Sequence, residues 1–402
     1  MKRMHPPCFV KARRHSAPNA ARDITLHEDR RLYPTDAGPQ RALVVAVDLQ
    51  DPQRPLAPEL AEFVALAKAA GANVVGEIVQ RLPHVDPATL VGSGKAREIA
   101  ERADELRADV LFVFNDLRPR QRTNLEKIVP LPIVDRTMLI LDIFAQHARS
   151  REGQLQVELA QLRYRQSNLI GVGAALSRLG GGVGTRGPGE TKLETDRRRI
   201  AQRVSLLQRH LDEVRRQRET RRAGRGRDPL VALVGYTNVG KSSLLNRLAG
   251  AGRGDGAFVA DQPFATLDPT LRRAYVAPGV NVRIADTVGF ITALPQELVN
   301  AFRATLEELD AADLLLHVHD ASNPDWPRQS ASVETILREL HLADKPALQV
   351  FNKVDRVDPA ARAALPAGGI EVSASTGEGV DALRAAVAAS LGAGRASEGV
   401  VP

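Results

Sequence analysis

A chain of 402 residues with 43% hydrophobic content is long enough for two or three domains, and an aromatic content of 4% leaves their cores to Leu, Val, Ile and Ala. One cysteine, Cys8, excludes an internal disulfide framework and fits a reducing compartment, and no apolar run is long enough to span a bilayer. The formal net charge is +7, and its uneven distribution matters more than its size.

Residues 1–40 carry net +4 (8 basic, 4 acidic) and mix Pro, Arg, His and Asn with little apolar periodicity, so a basic disordered extension is expected. No apolar signal-peptide core follows the basic start, and Asp23, Glu28 and Asp29 argue against a transit peptide. Residues 41–136 read as an N-terminal α/β domain. Strands at 42–47, 73–79, 110–114 and 131–134 alternate with helices at 58–70, 95–107 and 119–128. That alternation implies a parallel sheet with crossover helices.

Residues 137–228 read as a helical arm. Phe144, Leu155, Leu159 and Leu162 lie on one stripe of a helix that runs to about Asn168. A second helix starts near Glu190. Its apolar residues Leu193, Ile200, Val204, Leu207, Leu211 and Val214 are spaced as an a/d seam, so the two helices should form an antiparallel hairpin. The loop between them, 171–189, is too rich in glycine for a stable helix. Segment 149–228 is net +10 (19 basic, 9 acidic), whereas 41–148 is −2 and 229–402 is −5. Concentrated positive charge is the footprint of a polyanion partner, and a solvated charged helix is its bland counterpart. The seam leaves Arg197, Arg198, Arg203, Arg209, Arg215, Arg216 and Arg218 largely free to meet phosphates. Arg225 and Arg227, interleaved with glycines, read as a linker.

A second α/β pattern occupies 229–392, followed by a loose tail at 393–402. Its first apolar run, 230–234, suits a buried parallel strand. The next residues are Gly235, Tyr236, Thr237, Asn238, Val239, Gly240, Lys241 and Ser242, and a helix follows. This is G-x-x-x-x-G-K-S in strand–loop–helix context. Its glycines turn backbone N–H groups toward phosphates, Lys241 reaches the β- and γ-phosphates, and Ser242 binds Mg²⁺. Phe264, Ala265, Thr266, Leu267 and Asp268 offer the Thr266 hydroxyl to complete the Mg²⁺ shell. Asp286, Thr287, Val288 and Gly289 follow a strand at 282–285; Asp286 suits the Mg²⁺ side, and the Gly289 N–H can sense the γ-phosphate. Asn352, Lys353 and Asp355 follow a strand at 347–351, and the Asp355 carboxylate can accept from guanine N1–H and its exocyclic NH₂. Ser373, Ala374 and Ser375 follow a strand at 370–372, with the Ala374 N–H placed for guanine O6. The catalytic candidates are Lys241, Thr266 and Gly289, and the metal ligands are Ser242 and Thr266.

These five elements resemble the translation-factor-related class of P-loop GTPases. The run Gly235-Tyr-Thr-Asn238, Phe264-Ala-Thr-Leu-Asp-Pro-Thr270, Asp286-Thr-Val-Gly-Phe290 and the stretch from Leu179 to Asp196 resemble the HflX family, over about residues 41–391. The resemblance implies an α/β N-terminal domain, a long helical hairpin and a Ras-like GTPase domain. It also implies GTP and GDP as substrate and product, Mg²⁺ as cofactor, and the large ribosomal subunit with 23S-type rRNA as partner. Members can split ribosomes under stress, and the Gly-rich arm tip reaches toward the peptidyl-transferase centre. The expected protein is a monomer in the cytoplasm, with the membrane periphery as a second location. Phe290 stands where Ras-like proteins place a water-orienting Gln, so intrinsic hydrolysis should be slow.

Three patterns are decoys. Gly182, Gly184 and Gly187 match the dinucleotide spacing, but no strand precedes them and Pro188 follows. Gly92-Ser-Gly-Lys95 lacks the first Gly and the final Ser/Thr of a phosphate loop, so a helix-entry turn is the reading, with ATP binding left open. His317 and His319 have no third metal ligand and read as strand packing, as Trp326 does. Cys8 is assigned no chemistry. Two other functions compete with a ribosome-associated GTPase: a signalling GTPase with a protein effector, and an ATP-dependent N-terminal enzyme regulated by the GTPase domain.

Overall fold

The computed structural model describes residues 39–51, 54–179, 188–223, 228–250, 264, 270–292 and 309–398. The chain divides into two compact units, residues 1–146 with 171–181, and residues 147–170 with 182–402.

The first unit is built on β1 (Arg41–Asp48), β2 (Asn73–Arg81), β3 (Val110–Val113) and β4 (Ile133–Asp135), joined by helices α1 (Leu56–Ala69), α2 (Ser93–Glu105) and α3 (Pro119–Ile128). The strand order is β2-β1-β3-β4 and every pair is parallel. Residues 42–47 of β1 are buried on both faces, which is why they read as an unbroken apolar run. Leu43, Val45, Leu111 and Val113 pack on one side with Ile99 and Ala103 of α2 and Leu125 of α3. Across the sheet, Phe63 of α1 meets Phe112 and Phe114 edge to face, with centroids 6.5 and 5.7 Å apart. At the end of β4, Asp135 pairs with Arg122 and accepts from the Met138 N–H at 2.9 Å, which starts the next helix, α4 (Arg136–His147).

The expected helix from 137 to 168 is two helices. The chain breaks after α4, and α5 (Arg151–Leu179) starts anew. Ser150 causes the break: its Oγ accepts from the Gly153 N–H at 2.9 Å, and its carbonyl accepts from the Gln154 N–H at 3.0 Å, the pattern of an N-cap. Phe144 is therefore buried in the first unit instead of lying on the arm stripe. The expected loop from 171 is also corrected, because α5 stays helical through Gly171 and Gly173 to Leu179. Two glycines in nine residues weaken a helix by about 1 kcal/mol each, and Ala174, Ala175 and Leu176 offset that. The rest of the Gly-rich tip, 180–187, and the linker 224–227 lie outside the described residues.

Helix α6 (Pro188–Ala223) buries Asp196, Ile200 and Leu207, with Val204, Leu211 and Val214 half-buried. The a/d seam is thus present over the described side chains, and Leu193 lies outside them. Arg203 donates to Glu158 of α5 at 2.7 and 2.8 Å, and Arg197 lies 3.8 Å from Glu194, both in exposed ion pairs. The side chains of Arg215 and Arg218 lie outside the described ones, while Arg197, Arg198, Arg199, Arg209 and Arg216 are exposed.

The second sheet contains β5 (Leu230–Gly235), β6 (Thr270–Ala277), β7 (Val280–Asp286), β8 (Leu314–Asp320), β9 (Ala347–Asn352) and β10 (Ile370–Glu371) in the order β10-β9-β8-β5-β7-β6. Only β6 runs antiparallel, paired to β7 as an edge ribbon. Among the described residues its named helices are α7 (Lys241–Leu248), α8 (Trp326–Glu339), the short α9 (Pro359–Ala363) and α10 (Val380–Glu398). Helix α10 passes the expected end at 392 and continues to Glu398, because alanines surround Gly392 and Gly394. Among the described residues, no helix is long and apolar enough to cross a membrane.

Phe63→Ala removes a fully buried ring and two aromatic contacts, so it should destabilise the first unit by about 3–5 kcal/mol. Urea unfolding followed by circular dichroism should show an earlier first transition, with GDP affinity unchanged at low urea. An unaltered urea profile refutes this account of the core.

Candidate nucleotide site

The carboxyl ends of β5, β7, β9 and β10 gather those sequence-predicted residues that lie on or after these strands, as a parallel sheet does for its ligand. Residues 235–240 link buried β5 to α7. Asn238 and Gly240 both take positive φ, +60° and +93°, so the loop turns back and α7 starts with no side-chain cap on its first-turn amides. Uncapped amides at a helix start are donors for an anion. Gly240 has a second constraint, since a Cβ there would stand 2.3 Å from Asn352 Nδ2.

Lys241 is buried. Its Nζ donates to the carbonyls of Gly235 at 3.1 Å and Tyr236 at 2.7 Å. Burial lowers its pKa from the usual lysine value to about 8, and the nearby Asp286 carboxylate opposes that fall. The Ser242 hydroxyl donates to Asp286 at 2.5 Å. A hydroxyl and a buried carboxylate side by side form a hard-oxygen set of the kind Mg²⁺ takes, so these residues fit that ion. Ala265, Thr266, Leu267 and Asp268 lie outside the described residues, and Phe264 is buried.

Thr287 is buried with its Oγ1 on the Leu233 carbonyl at 2.7 Å. A Cβ on Gly289 would stand 2.8 Å from Thr237 Cα and 3.1 Å from Lys241 Nζ, so only glycine fits this approach to the phosphate loop. Phe290 is 1% exposed. Its N–H donates to the Gly235 carbonyl at 3.2 Å, and its carbonyl accepts from the Thr237 N–H at 2.8 Å. The Tyr236 hydroxyl adds a side-chain tie, with Thr292 Oγ1 and the Thr292 N–H both at 2.7 Å. The sequence offered no signal for Thr292.

The base-side residues converge on the same loop. Asn352 is buried. Its Nδ2 donates to the Val239 carbonyl at 2.8 Å, and its Oδ1 accepts from the Ala374 N–H at 3.0 Å. The Ala374 amide assigned to guanine O6 is therefore already bonded within the protein, and it can serve the base only as a shared donor. Lys353, at φ +64°, donates to the Asn238 carbonyl at 2.8 Å and to Asp320 at 2.7 Å. Sequence reasoning missed Asp320; its signal is a carboxylate at the end of β8, in register with Asn352. Ser375 Oγ donates to Asp355 at 3.2 Å and lies 2.9 Å from Ser373 Oγ. The Ser373 hydroxyl, followed by lesser bonds, holds the Asp355 carboxyl below the usual carboxylate range, so it stays an ionised acceptor. His317 and His319 are buried on β8, with His319 stacked on Phe351 at 5.1 Å and edge to face with Trp326. Burial, His319 and Lys241 push His317 down to about 3, so it is a neutral packing residue.

Three family models match in chain order: a GTP-binding GTPase N-terminal region at residues 57–145, a GTP-binding GTPase middle region at 147–225, and a 50S ribosome-binding GTPase at 230–353. The GTPase HflX of Lacrimispora saccharolytica is 46% identical over 86% of this chain and 81% of its own. The chain belongs to the HflX family of GTPases. The Escherichia coli GTPase HflX is 46% identical over 80% of this chain and 75% of its own. Among solved structures, a GTP-binding protein of Sulfolobus solfataricus in complex with GDP aligns with 87% of this chain and 98% of its own, at 23% identity and a TM-score of 0.44. As an HflX-family P-loop GTPase, the protein binds GTP and hydrolyses it.

Two outcomes follow for the nucleotide. Lys241 is charged below about pH 8 and loses its proton above it, while bound phosphates favour the charged form. GDP affinity should therefore be flat from pH 6.5 to 7.5 and fall toward about tenfold per unit above 8. Calorimetry in two buffers should show proton uptake on binding at pH 8.5, and none at that pH contradicts the assignment. Asp355→Asn inverts the acceptor pattern, so preference should move from GTP toward xanthosine triphosphate. Unchanged GTP affinity with no gain for the xanthosine nucleotide removes Asp355 as the base reader.

Proposed function

We propose that this HflX-family GTPase docks on the large ribosomal subunit through its basic arm, touching 23S-type rRNA, and that its nucleotide state drives dissociation or rescue of ribosomes under stress. The arm's charge carries this reading. Segment 149–228 is net +10, and α6 turns Arg197, Arg198, Arg199, Arg209 and Arg216 outward while burying Ile200 and Leu207. The description of the 230–353 model as a 50S ribosome-binding GTPase supports the same partner. In this reading the protein works as a cytoplasmic monomer, with the membrane periphery as a second location.

The site residues take these roles. The loop from Gly235 to Ser242 wraps the phosphates, and Lys241 reaches the β- and γ-phosphates. Ser242 and Thr266 hold Mg²⁺, with Asp286 behind the Ser242 hydroxyl. The ion neutralises phosphate charge when bound. The Gly289 N–H senses the γ-phosphate, and Asn352, Lys353, Asp355 and Ser373 to Ser375 enclose the guanine. Phe290 is buried and has no polar atom on its side chain, so it cannot orient water. Slow turnover by the isolated protein, accelerated by large subunits, is the consequence.

Pelleting with purified large subunits at two salt concentrations tests the arm, with GTP hydrolysis measured in parallel. Binding should weaken steeply with salt, and Arg197, Arg198 and Arg199 changed together to Glu should lower the logarithmic salt slope by about 3. This variant should still bind GTP but lose stimulation by subunits. Wild-type pelleting by the variant at physiological salt, or fast turnover indifferent to subunits, would place a protein effector ahead of rRNA.

A further inference from the structure

Arg247 stands outside the five nucleotide motifs, yet it touches one of them. It lies on the last turn of α7, the helix that opens with Lys241 and Ser242. Its Nε donates to the Ala374 carbonyl at 3.0 Å, and its Nη2 donates to the Ser375 carbonyl. A planar guanidinium presents parallel donors in a fixed fork, and here the fork grips two successive carbonyls of one loop. The loop also closes on itself: the Gly377 N–H donates to the Ser373 carbonyl at 2.8 Å, and the Ser373 N–H to the Glu378 carbonyl at 2.9 Å. Arg384 backs the grip from α10, donating to the carbonyls of Arg247 and Leu248 at 3.3 and 3.4 Å.

We propose that Arg247 is a positioning residue for guanine, tethering the base-reading loop to the helix that holds the phosphates. The inference rests on the assignment of Asp355 and Ser373 to Ser375 to the base. Helix α7 is eight residues long, so a short rigid rod sets the distance between its phosphate end and the Arg247 clamp. With the carbonyls of Ala374 and Ser375 held on the α7 side, the Ala374 N–H and the Ser375 hydroxyl keep their places beside Asn352 and Asp355. Arg247 acts here through the loop and needs no contact with the nucleotide. Releasing it loosens the base subsite while the phosphate loop stays folded, so the clamp sets how long a guanine nucleotide remains bound.

The test is stopped-flow dissociation of a fluorescent GDP analogue, with equilibrium affinities for GDP, xanthosine diphosphate and ADP. Arg247→Ala and Arg247→Gln are compared with the wild type, with Asp355→Asn as the control on base reading. Losing two charge-assisted hydrogen bonds should raise the GDP dissociation rate at least about tenfold in the Ala variant and less in the Gln variant, which keeps one donor group. Affinity for ADP should stay at its weak wild-type level, so discrimination for guanine falls. Equal losses for every nucleotide signify general destabilisation and overturn the proposal, as do unchanged GDP kinetics in both variants. If Asp355→Asn alters base preference and the Arg247 variants do not, the clamp fails while the base assignment survives. If Asp355→Asn also leaves base preference unchanged, the assignment beneath the clamp fails first.

Discussion

The nucleotide site depends on one buried side chain, Asn352. Its amide spans from the Val239 carbonyl of the phosphate loop to the Ala374 N–H of the base loop. The bond to Val239 is buried and the Asn352 side chain itself is 1% exposed, so losing that partner leaves a buried polar atom unsatisfied, at a cost of about 1–3 kcal/mol. The same side chain dictates Gly240, because any Cβ there would overlap its amide nitrogen. One residue on β9 thus constrains a loop that follows β5 and another that follows β10. Lys353 adds a second tie from the same strand end, to Asn238 and Asp320.

On the phosphate side, the ties run between β5 and β7. Lys241, Gly289 and Phe290 crowd the same few ångströms, and the contacts there are mostly backbone. Backbone ties suit a loop that must present its N–H groups in a fixed geometry whatever the neighbouring side chains are. The Tyr236 hydroxyl on Thr292 anchors the chain just after Phe290. Phe290 itself is buried and offers that position no polar side-chain atom.

The arm follows a different economy. Few described residues of α6 are buried, and its seam is narrow. Helices this polar gain little from burial; a thin apolar stripe holds them, and an exposed pair such as Arg203 with Glu158 adds little. The arginines left outward are a cost to an isolated helix through self-repulsion, and a polyanion lifts that cost.

The amino-acid sequence by itself determined the class of the two sheets, the seam of the arm and the five nucleotide motifs. Each of these is carried by a few contiguous residues or a short period, which local chemistry can express. The helix limits were less secure, because Ser150 capping and the tolerance of Gly171 and Gly173 depend on neighbouring bonds that periodicity does not weigh. Tertiary structure alone decided which groups already hold a partner. The Ala374 amide belongs to Asn352, and Arg203 belongs to Glu158. It also decided what ties the motifs together: Asn352 to Val239 across 113 residues, Arg247 to Ala374 across 127, and Lys353 to Asp320 across 33. Such partners are set by strand order and register, which bring distant strand ends side by side. No local pattern in the chain records that adjacency.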